Sequence, residues 1–193
     1  AWGALRRVIT IHDLNFLHYH EHLTAEARRY YNDQIAWAVD RADGIVVDSN
    51  ATRRDLETLL NVPPDLVTVA HLAAGPRFRV QPEQEIARCL ARYDLEPGYL
   101  LFVGVWEPRK NLPGLLMALA LLRERDASVT LVVAGRPGWL YDEIFAEVRT
   151  LKLERHVRFI EQPPVEDLVG LYNGARLLVM PSFYEGFGLP ALE

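Results

Sequence analysis

The chain has 193 residues, half of them hydrophobic and 24% charged; this length allows one large domain or two small lobes, and the balance excludes chain-wide disorder. With 21 Lys and Arg against 26 Asp and Glu the net charge is −5, which leaves no basic field to hold nucleic acid. A single cysteine, Cys89, cannot close an internal disulfide or build a cysteine metal cage, and it reads as a core thiol of an intracellular protein. The longest strongly apolar stretch, Leu112 to Leu122, is shorter than the ~20 residues of a membrane span and is interrupted by Pro113 and Gly114. The opening residues hold neither an initiating Met nor an apolar core of signal-peptide length, and the chain stops just after a loop that should open a helix, so it is read as an internal piece of a longer protein.

The β-branched run Val8 to Ile11 predicts a buried strand that leads into a polar His12-Asp13 pair. A helical composition covers Thr24 to Arg41, and a second strand follows at Gly44 to Val47. Ser49 or Asn50 should cap a helix running to Leu60 with Leu56, Leu59 and Leu60 as its apolar face, ended by Pro63-Pro64. A third strand is expected from Leu66 to Ala70, after which the Gly75-Pro76 pair marks a boundary. The alternation then restarts with a helix over Glu83 to Tyr93 and a strand over Tyr99 to Val103 that should be buried on both faces. Leu112, Leu115, Leu116, Leu119 and Leu122 recur at helical spacing. Strands at Val129 to Ala134, Val157 to Ile160 and Leu177 to Met180 alternate with helices over Tyr141 to Lys152 and Glu166 to Ala175. Such alternation implies parallel pairing with right-handed crossovers, hence two Rossmann-like lobes with the first one incomplete.

In open parallel sheets ligands bind beyond the carboxyl ends of the strands, so the informative loops are His12-Asp13, Gly104 to Asn111, Gly135 to Trp139 and Pro181 to Glu193. In G-V-W-E-P-R-K-N, Arg109 and Lys110 stand at the mouth of a helix, which suits a diphosphate; the alternative is a solvated pair of charges. Only Lys110 and Lys152 among the 21 cations are lysines, which hints that the compact ammonium is a specific choice. In P-S-F-Y-E-G-F-G-L-P-A-L-E, Gly186 and Gly188 allow backbone amides to approach an anion, while Pro190 should open a helix with Glu193 in its first turn. Glu185 and Glu193 could accept paired hydrogen bonds from sugar hydroxyls, or be a loop charge and a dipole-compensating acid. His18, His20 and His22 around Glu21 would form a zinc cluster on a strand, but they fall in a loop. Asn50-Ala51-Thr52 is a formal glycosylation sequon that reads better as a helix cap.

The succession R-K-N after one strand, G-R-P-G-W after the next and S-x-Y-E-G-F-G-L-P-x-L-E at the end resembles the retaining, nucleotide-sugar-dependent glycosyltransferases of family 4, which have the GT-B fold. The likeness covers nearly the whole chain: VITIHDLNF with GIVVDSNATRRDL is similar to the last third of that family's N-terminal acceptor lobe, and E-P-R-K-N with G-R-P-G-W leans towards its mannosyltransferase-like members. The resemblance implies an α/β fold of GT-B type with two Rossmann-like lobes, both incomplete here. Residues 1–75 would be the C-terminal part of the acceptor lobe and 76–193 the N-terminal part of the nucleotide-sugar donor lobe. Arg109 and Lys110 would then contact the diphosphate, Glu185 the hydroxyls of the transferred sugar and Glu193 the ribose. Backbone amides around Phe187, Gly188 and Leu189 would assist at the phosphates, Gly104, Gly135 and Gly186 would line the nucleotide-sugar site, and His12 would face the reacting sugar. Two departures stand out: Gly75 lies in A-A-G-P where the family usually has Asn-Gly-Val-Asp, and Glu161-Gln162 occupy a place where Gly is common.

The implied activity is transfer of a hexosyl, in the mannosyltransferase-like members a mannosyl, group from a nucleotide diphosphate sugar to the hydroxyl of a glycan, a lipid-linked or another acceptor. No cofactor is expected, because the nucleotide sugar is a substrate, and the lack of any Asp-x-Asp argues against the metal-dependent architecture. A cytoplasmic location is expected, with peripheral association of the full-length protein at the inner face of a membrane allowed. The alternatives are a noncatalytic sugar-nucleotide-binding lobe and a sugar-nucleotide epimerase of related architecture.

Overall fold

The computed structural model describes residues 5–20, 23–125, 128–138 and 142–193. They divide into two compact units: one reaches up to Ala73 and also takes in Tyr184–Leu189, and the other consists of Ala74–Phe183 and Pro190–Glu193.

In the first unit, strands β1 (Val8–Ile11), β2 (Gly44–Val47) and β3 (Val67–Val69) pair in parallel in the order β1-β2-β3, with Ile9 opposite Ile45 and Ile45 opposite Val67. The connections are the short helix α1 (Asn15–His18), α2 (Ala25–Asp40) and α3 (Asn50–Leu59). Thr24 caps α2 by accepting the Ala27 N–H, and Ser49, of the two caps expected for α3, accepts the Thr52 N–H. Helix α1 was not legible as a helix. The Asp13 carboxylate starts it by accepting both the backbone and the side-chain N–H of Asn15. Ile11, Leu14, Ile45, Val47, Leu56, Val62 and Val67 form the core. Leu56 carries the apolar face of α3, whereas Leu59, expected beside it, is exposed. The third strand is shorter than Leu66 to Ala70 because Pro64–Leu66 closes as a 3-10 turn.

The second unit holds β4 (Tyr99–Val103), β5 (Leu131–Gly135), β6 (Val157–Glu161) and β7 (Ala175–Leu178), all parallel in the order β6-β5-β4-β7. Helices α4 (Glu83–Arg92), α5 (Leu112–Arg123), α6 (Asp142–Thr150) and α7 (Val165–Gly174) make the crossovers. Alternate strand residues enter two different cores. Phe102, Leu131 and Val133 pack with Leu112, Leu115, Leu116 and Leu119 of α5 and with Ile144 and Val148 of α6. Tyr99, Leu101, Val132 and Ala134 pack with Leu90 of α4 and Leu171 of α7. This two-sided burial is what the unbroken apolar strands imply. Leu122, placed by its spacing on the buried face of α5, is 40% exposed. Strand β7 starts two residues before its expected place, α7 passing into it without a loop. Leu189–Ala191, around Pro190, is a 3-10 turn. Tyr141, Trp139 and His22, with Glu21, lie outside the described residues.

Helices α4 and α7 are tied by a polar cluster around Asp167, which is 8% exposed. Its carboxylate pairs with Arg92 and accepts the Tyr93 hydroxyl at 2.6 Å, while its carbonyl accepts the thiol of Cys89 at 3.4 Å. Burial, then the Asp167 hydrogen bond and charge, push the Tyr93 hydroxyl up to about 12. Between pH 10 and 12 the unfolded chain loses this proton while the folded chain keeps it, so the contribution of Tyr93 is full below pH 10 and declines above it. Tyr93→Phe should therefore be less stable than the parent at pH 8, and the gap should narrow as pH rises past 10. Urea midpoints at pH 8, 10 and 11 measure it; a gap that widens with pH contradicts the assignment.

Candidate functional site

The sheet order of the second unit reverses at β4: β5 and β6 lie to one side of it and β7 to the other. In open α/β sheets such a switch point, at the carboxyl ends, is where ligands bind, and the loops after β4 and β7 flank it. Both were singled out by their residues. The loop after β4 turns through a 3-10 segment, Pro108–Lys110, into Asn111, whose left-handed backbone (φ 53°, ψ 39°) starts α5 while its side-chain oxygen accepts the Gly114 N–H. The same Asn111 amide donates to the Pro181 carbonyl at 3.2 Å, and the Phe183 N–H donates to the Arg109 carbonyl at 3.0 Å. Two hydrogen bonds thus tie the loop after β7 to the turn that carries Arg109 and Lys110. Asn111 stands in the R-K-N motif without an expected role; its place between the Arg109-Lys110 pair and the start of a helix was the available signal.

Arg109 is not a solvated surface charge. Its side chain is 15% exposed and its guanidinium donates to Glu107 at 2.6 Å, which holds the fork in a fixed direction near the amino end of α5. The stem of Lys110 runs beside Gly104, where an added Cβ would meet the Lys110 Cε at 3.8 Å. The loops after β4 and β5 run together: Trp106 donates to the Arg136 carbonyl at 2.9 Å and accepts the Gly138 N–H at 3.1 Å. At their root Gly135, with φ +149°, lies so close to Gly104 that a Cβ on it would sit 1.9 Å from the Gly104 carbonyl oxygen. In the Glu161-Gln162 pair, Gln162 adopts φ +48°, a left-handed conformation that Gly takes up most readily. In the same unit Glu193 accepts the Tyr172 hydroxyl at 2.8 Å. Burial first, then this hydrogen bond, raises the Tyr172 hydroxyl well above its ordinary value. Two surface hollows of this unit, of about 480 and 680 Å³, are lined by residues such as Pro97, Thr130, His156 and Gly174. These precede the strands, so the hollows lie at the opposite end of the sheet from the cation-bearing loops.

Glu185, Gly186, Phe187, Gly188 and Leu189 group with the first unit. There each strand ends in a polar residue: His12 after β1, Asp48 after β2, His71 shortly after β3. The His12 Nδ1 lies 2.6 Å from the Asp48 Oδ2, and the His71 Nδ1 lies 3.0 Å from the Asp48 carbonyl oxygen. Asp48 is 4% exposed, whereas the His12 side chain is 72% exposed. Gly186 is pressed onto this group, since a Cβ there would fall 2.3 Å from the His12 carbonyl oxygen. Phe187 lies near the His71 ring, with centroids 6.0 Å apart. Tyr184, just before Glu185, donates its hydroxyl to Asp55 of α3, which also bonds His18 Nε2 at 3.1 Å. His18 is thereby engaged with a carboxylate, and among the described residues no group of three or more His, Cys, Asp or Glu is placed to hold a metal ion. Asp48, His71 and Asp55 were not singled out from the sequence. The polar residue closing every strand was the signal for the first two.

The family model for Glycosyl transferases group 1 matches residues 91–193, and the model for Glycosyltransferase Family 4 matches residues 1–74. The chain belongs to the glycosyl transferases group 1 family. It is 36% identical over 97% of its length to the O-antigen chain mannosyltransferase B of Escherichia coli, covering 50% of that protein. It is 32% identical over 88% of its length to a D-inositol 3-phosphate glycosyltransferase of Corynebacterium diphtheriae, covering 41% of it. The chain spans about half the length of the curated relatives it matches. The crystal structure of Anabaena HepE in complex with UDP and glucose matches 94% of this chain and 48% of that one with a TM-score of 0.75 at 19% identity, a likeness that bears on the fold. The fold is α/β of GT-B type, as the motifs implied. No helix among the described residues is long and apolar enough to cross a membrane.

The Gly104–Gly135 contact leaves no room for a side chain. Gly135→Ala should lose at least about 2 kcal/mol of stability from overpacking and an unfavourable backbone conformation together, read as a fall in the urea midpoint. An unchanged midpoint would show that the two strand ends can separate freely.

Proposed function

We propose that the full-length protein is a retaining glycosyltransferase that moves a hexosyl group, with mannosyl the first choice, from a nucleotide diphosphate sugar to an acceptor hydroxyl. The observation that carries this reading is the tethered Pro108–Asn111 turn at the switch point, in which Arg109 and Lys110 come just before the first residue of α5, a place suited to a diphosphate. The relatives named above, a mannosyltransferase and an inositol-phosphate glycosyltransferase, support the reaction class, and UDP in the HepE structure supports the choice of a nucleotide-linked substrate.

On this reading the bond between the anomeric carbon and the diphosphate oxygen breaks, its electron pair goes to the diphosphate, and Arg109 and Lys110 stabilise the charge that grows there. The cations do the work a metal does in other architectures, and no metal or further cofactor is required. Glu185 meets the transferred sugar, where positive character develops, and His12 contacts the same sugar. Glu193 accepts from the ribose, with Gly186, Phe187, Gly188 and Leu189 offering backbone close to the nucleotide sugar. The acceptor hydroxyl attacks from the face the diphosphate leaves, and its proton passes to a phosphate oxygen. Residues 1–75 serve the acceptor and 76–193 the nucleotide sugar. The acceptor class is a glycan or lipid-linked hydroxyl, reached from the cytoplasm with peripheral attachment at a membrane's inner face.

In the full-length protein, Arg109→Ala and Lys110→Ala should each cost about 3 to 4 kcal/mol of transition-state stabilisation, roughly a hundred- to a thousandfold in kcat/KM, while Lys152→Ala, which alters a left-handed turn after α6, should be close to silent. Near-normal transfer by the double variant, measured by release of nucleoside diphosphate over a panel of nucleotide sugars, would return both residues to a structural role. Glu185→Gln should depress kcat, and Glu193→Gln should act mainly on nucleoside diphosphate affinity. The assignment fails if the two effects are exchanged.

A further inference from the structure

We infer that Asp48 is a positioning residue that locks His12 in its Nδ1–H tautomer, so that the exposed end of the ring offers Nε2 as a hydrogen-bond acceptor to a hydroxyl of the transferred sugar. The tautomer follows from the geometry alone; the identity of the hydroxyl rests on the reading that His12 meets the sugar.

An ionised carboxylate only accepts hydrogen bonds, so with the His12 Nδ1 2.6 Å from the Asp48 Oδ2 the proton of a neutral ring resides on Nδ1. Nε2 then carries the lone pair. The anchor is rigid: Asp48 closes β2 and is buried, and a buried carboxylate holds its hydrogen-bonding partner firmly because losing it leaves a desolvated charge. The ring reaches outward from this anchor, its side chain being 72% exposed.

The plain alternative, that Asp48 is there to cap α3, does not hold, because the neighbouring Ser49 accepts the Thr52 N–H. Nor is the carboxylate needed for the second histidine. His71 donates its Nδ1–H to the Asp48 backbone carbonyl at 3.0 Å, so it shares the same tautomer by a contact that no substitution of the Asp48 side chain removes. His71 is thus a control within the same group of strand ends. Thr52 fixes the other side of the segment by donating its hydroxyl to the His12 carbonyl at 3.2 Å.

The test uses the full-length protein labelled with 15N-histidine. Two-bond proton–nitrogen spectra at pH 8, with His12→Gln and His71→Gln to assign the signals, should place both rings as Nδ1–H. In Asp48→Ala, His12 should revert to the Nε2–H form that an unbonded histidine side chain favours while His71 keeps its Nδ1 proton. Asp48→Leu, nearly isosteric, carries the same comparison if the alanine variant does not fold. In sugar transfer, Asp48→Ala should lower kcat about 10- to 100-fold, and adding it to His12→Ala should make the variant no more than roughly threefold worse, because the two act as one unit. His12 found as Nε2–H in the parent, or still Nδ1–H after Asp48→Ala, overturns the lock. Full additivity of the two substitutions overturns action through His12. If the tautomer shifts as expected but neither His12→Ala nor Asp48→Ala alters transfer, the lock stands and the sugar contact of His12 is wrong.

Discussion

Two parallel strands that end side by side can continue side by side only if nothing projects between them, and in the second unit that condition is met by two glycines. Gly135 lies against the Gly104 carbonyl at a distance no Cβ tolerates. From this contact the loops after β4 and β5 stay joined through the Trp106 pairing with Arg136 and Gly138. Trp106 itself is buried, edge-on to Phe159 with centroids 5.1 Å apart, so the joined loops are rooted in the core. The Pro108–Asn111 turn inherits that rigidity, and with it the directions of Arg109 and Lys110.

The chain is acidic as a whole, with a net charge of −5, so the anionic nucleotide sugar proposed above would gain nothing from its long-range field. Its attraction would come from a few groups at short range, where backbone N–H groups and fixed cations act with little screening. Arg109 carries its own counter-charge in Glu107. The pair limits the cost of partly burying a cation and orients its remaining donors. Asn111 completes the arrangement by acting on two loops at once, through its oxygen on Gly114 and its amide on Pro181.

The first unit applies the same construction with different chemistry. Its strand ends bring His12, Asp48 and His71 together, and Asp48 organises the group by using its side chain for one imidazole and its backbone for the other. The backbone of Gly186 lies against the His12 carbonyl, which explains a glycine directly after Glu185.

The alternation of apolar runs with amphipathic stretches determined the parallel sheets and, in the second unit, their cover on both faces, because two-sided burial demands unbroken apolar strands and the crossovers demand helices. Hydroxyl caps at Thr24 and Ser49 set two helix starts for equally local reasons. The loops that follow the strands were legible too, because the strands were, and the glycine and cation motifs stand at the carboxyl ends where parallel sheets bind ligands. What the sequence left open depends on contacts between residues far apart in the chain. Asp13 starting α1 and the solvent-facing positions of Leu59 and Leu122 each depend on what the neighbouring elements cover or bond. The pairing of His12 with Asp48, 36 residues away, and the tie from Asn111 to Pro181, 70 residues away, were decided by the order of strands in each sheet, because only that order determines which loop ends become neighbours.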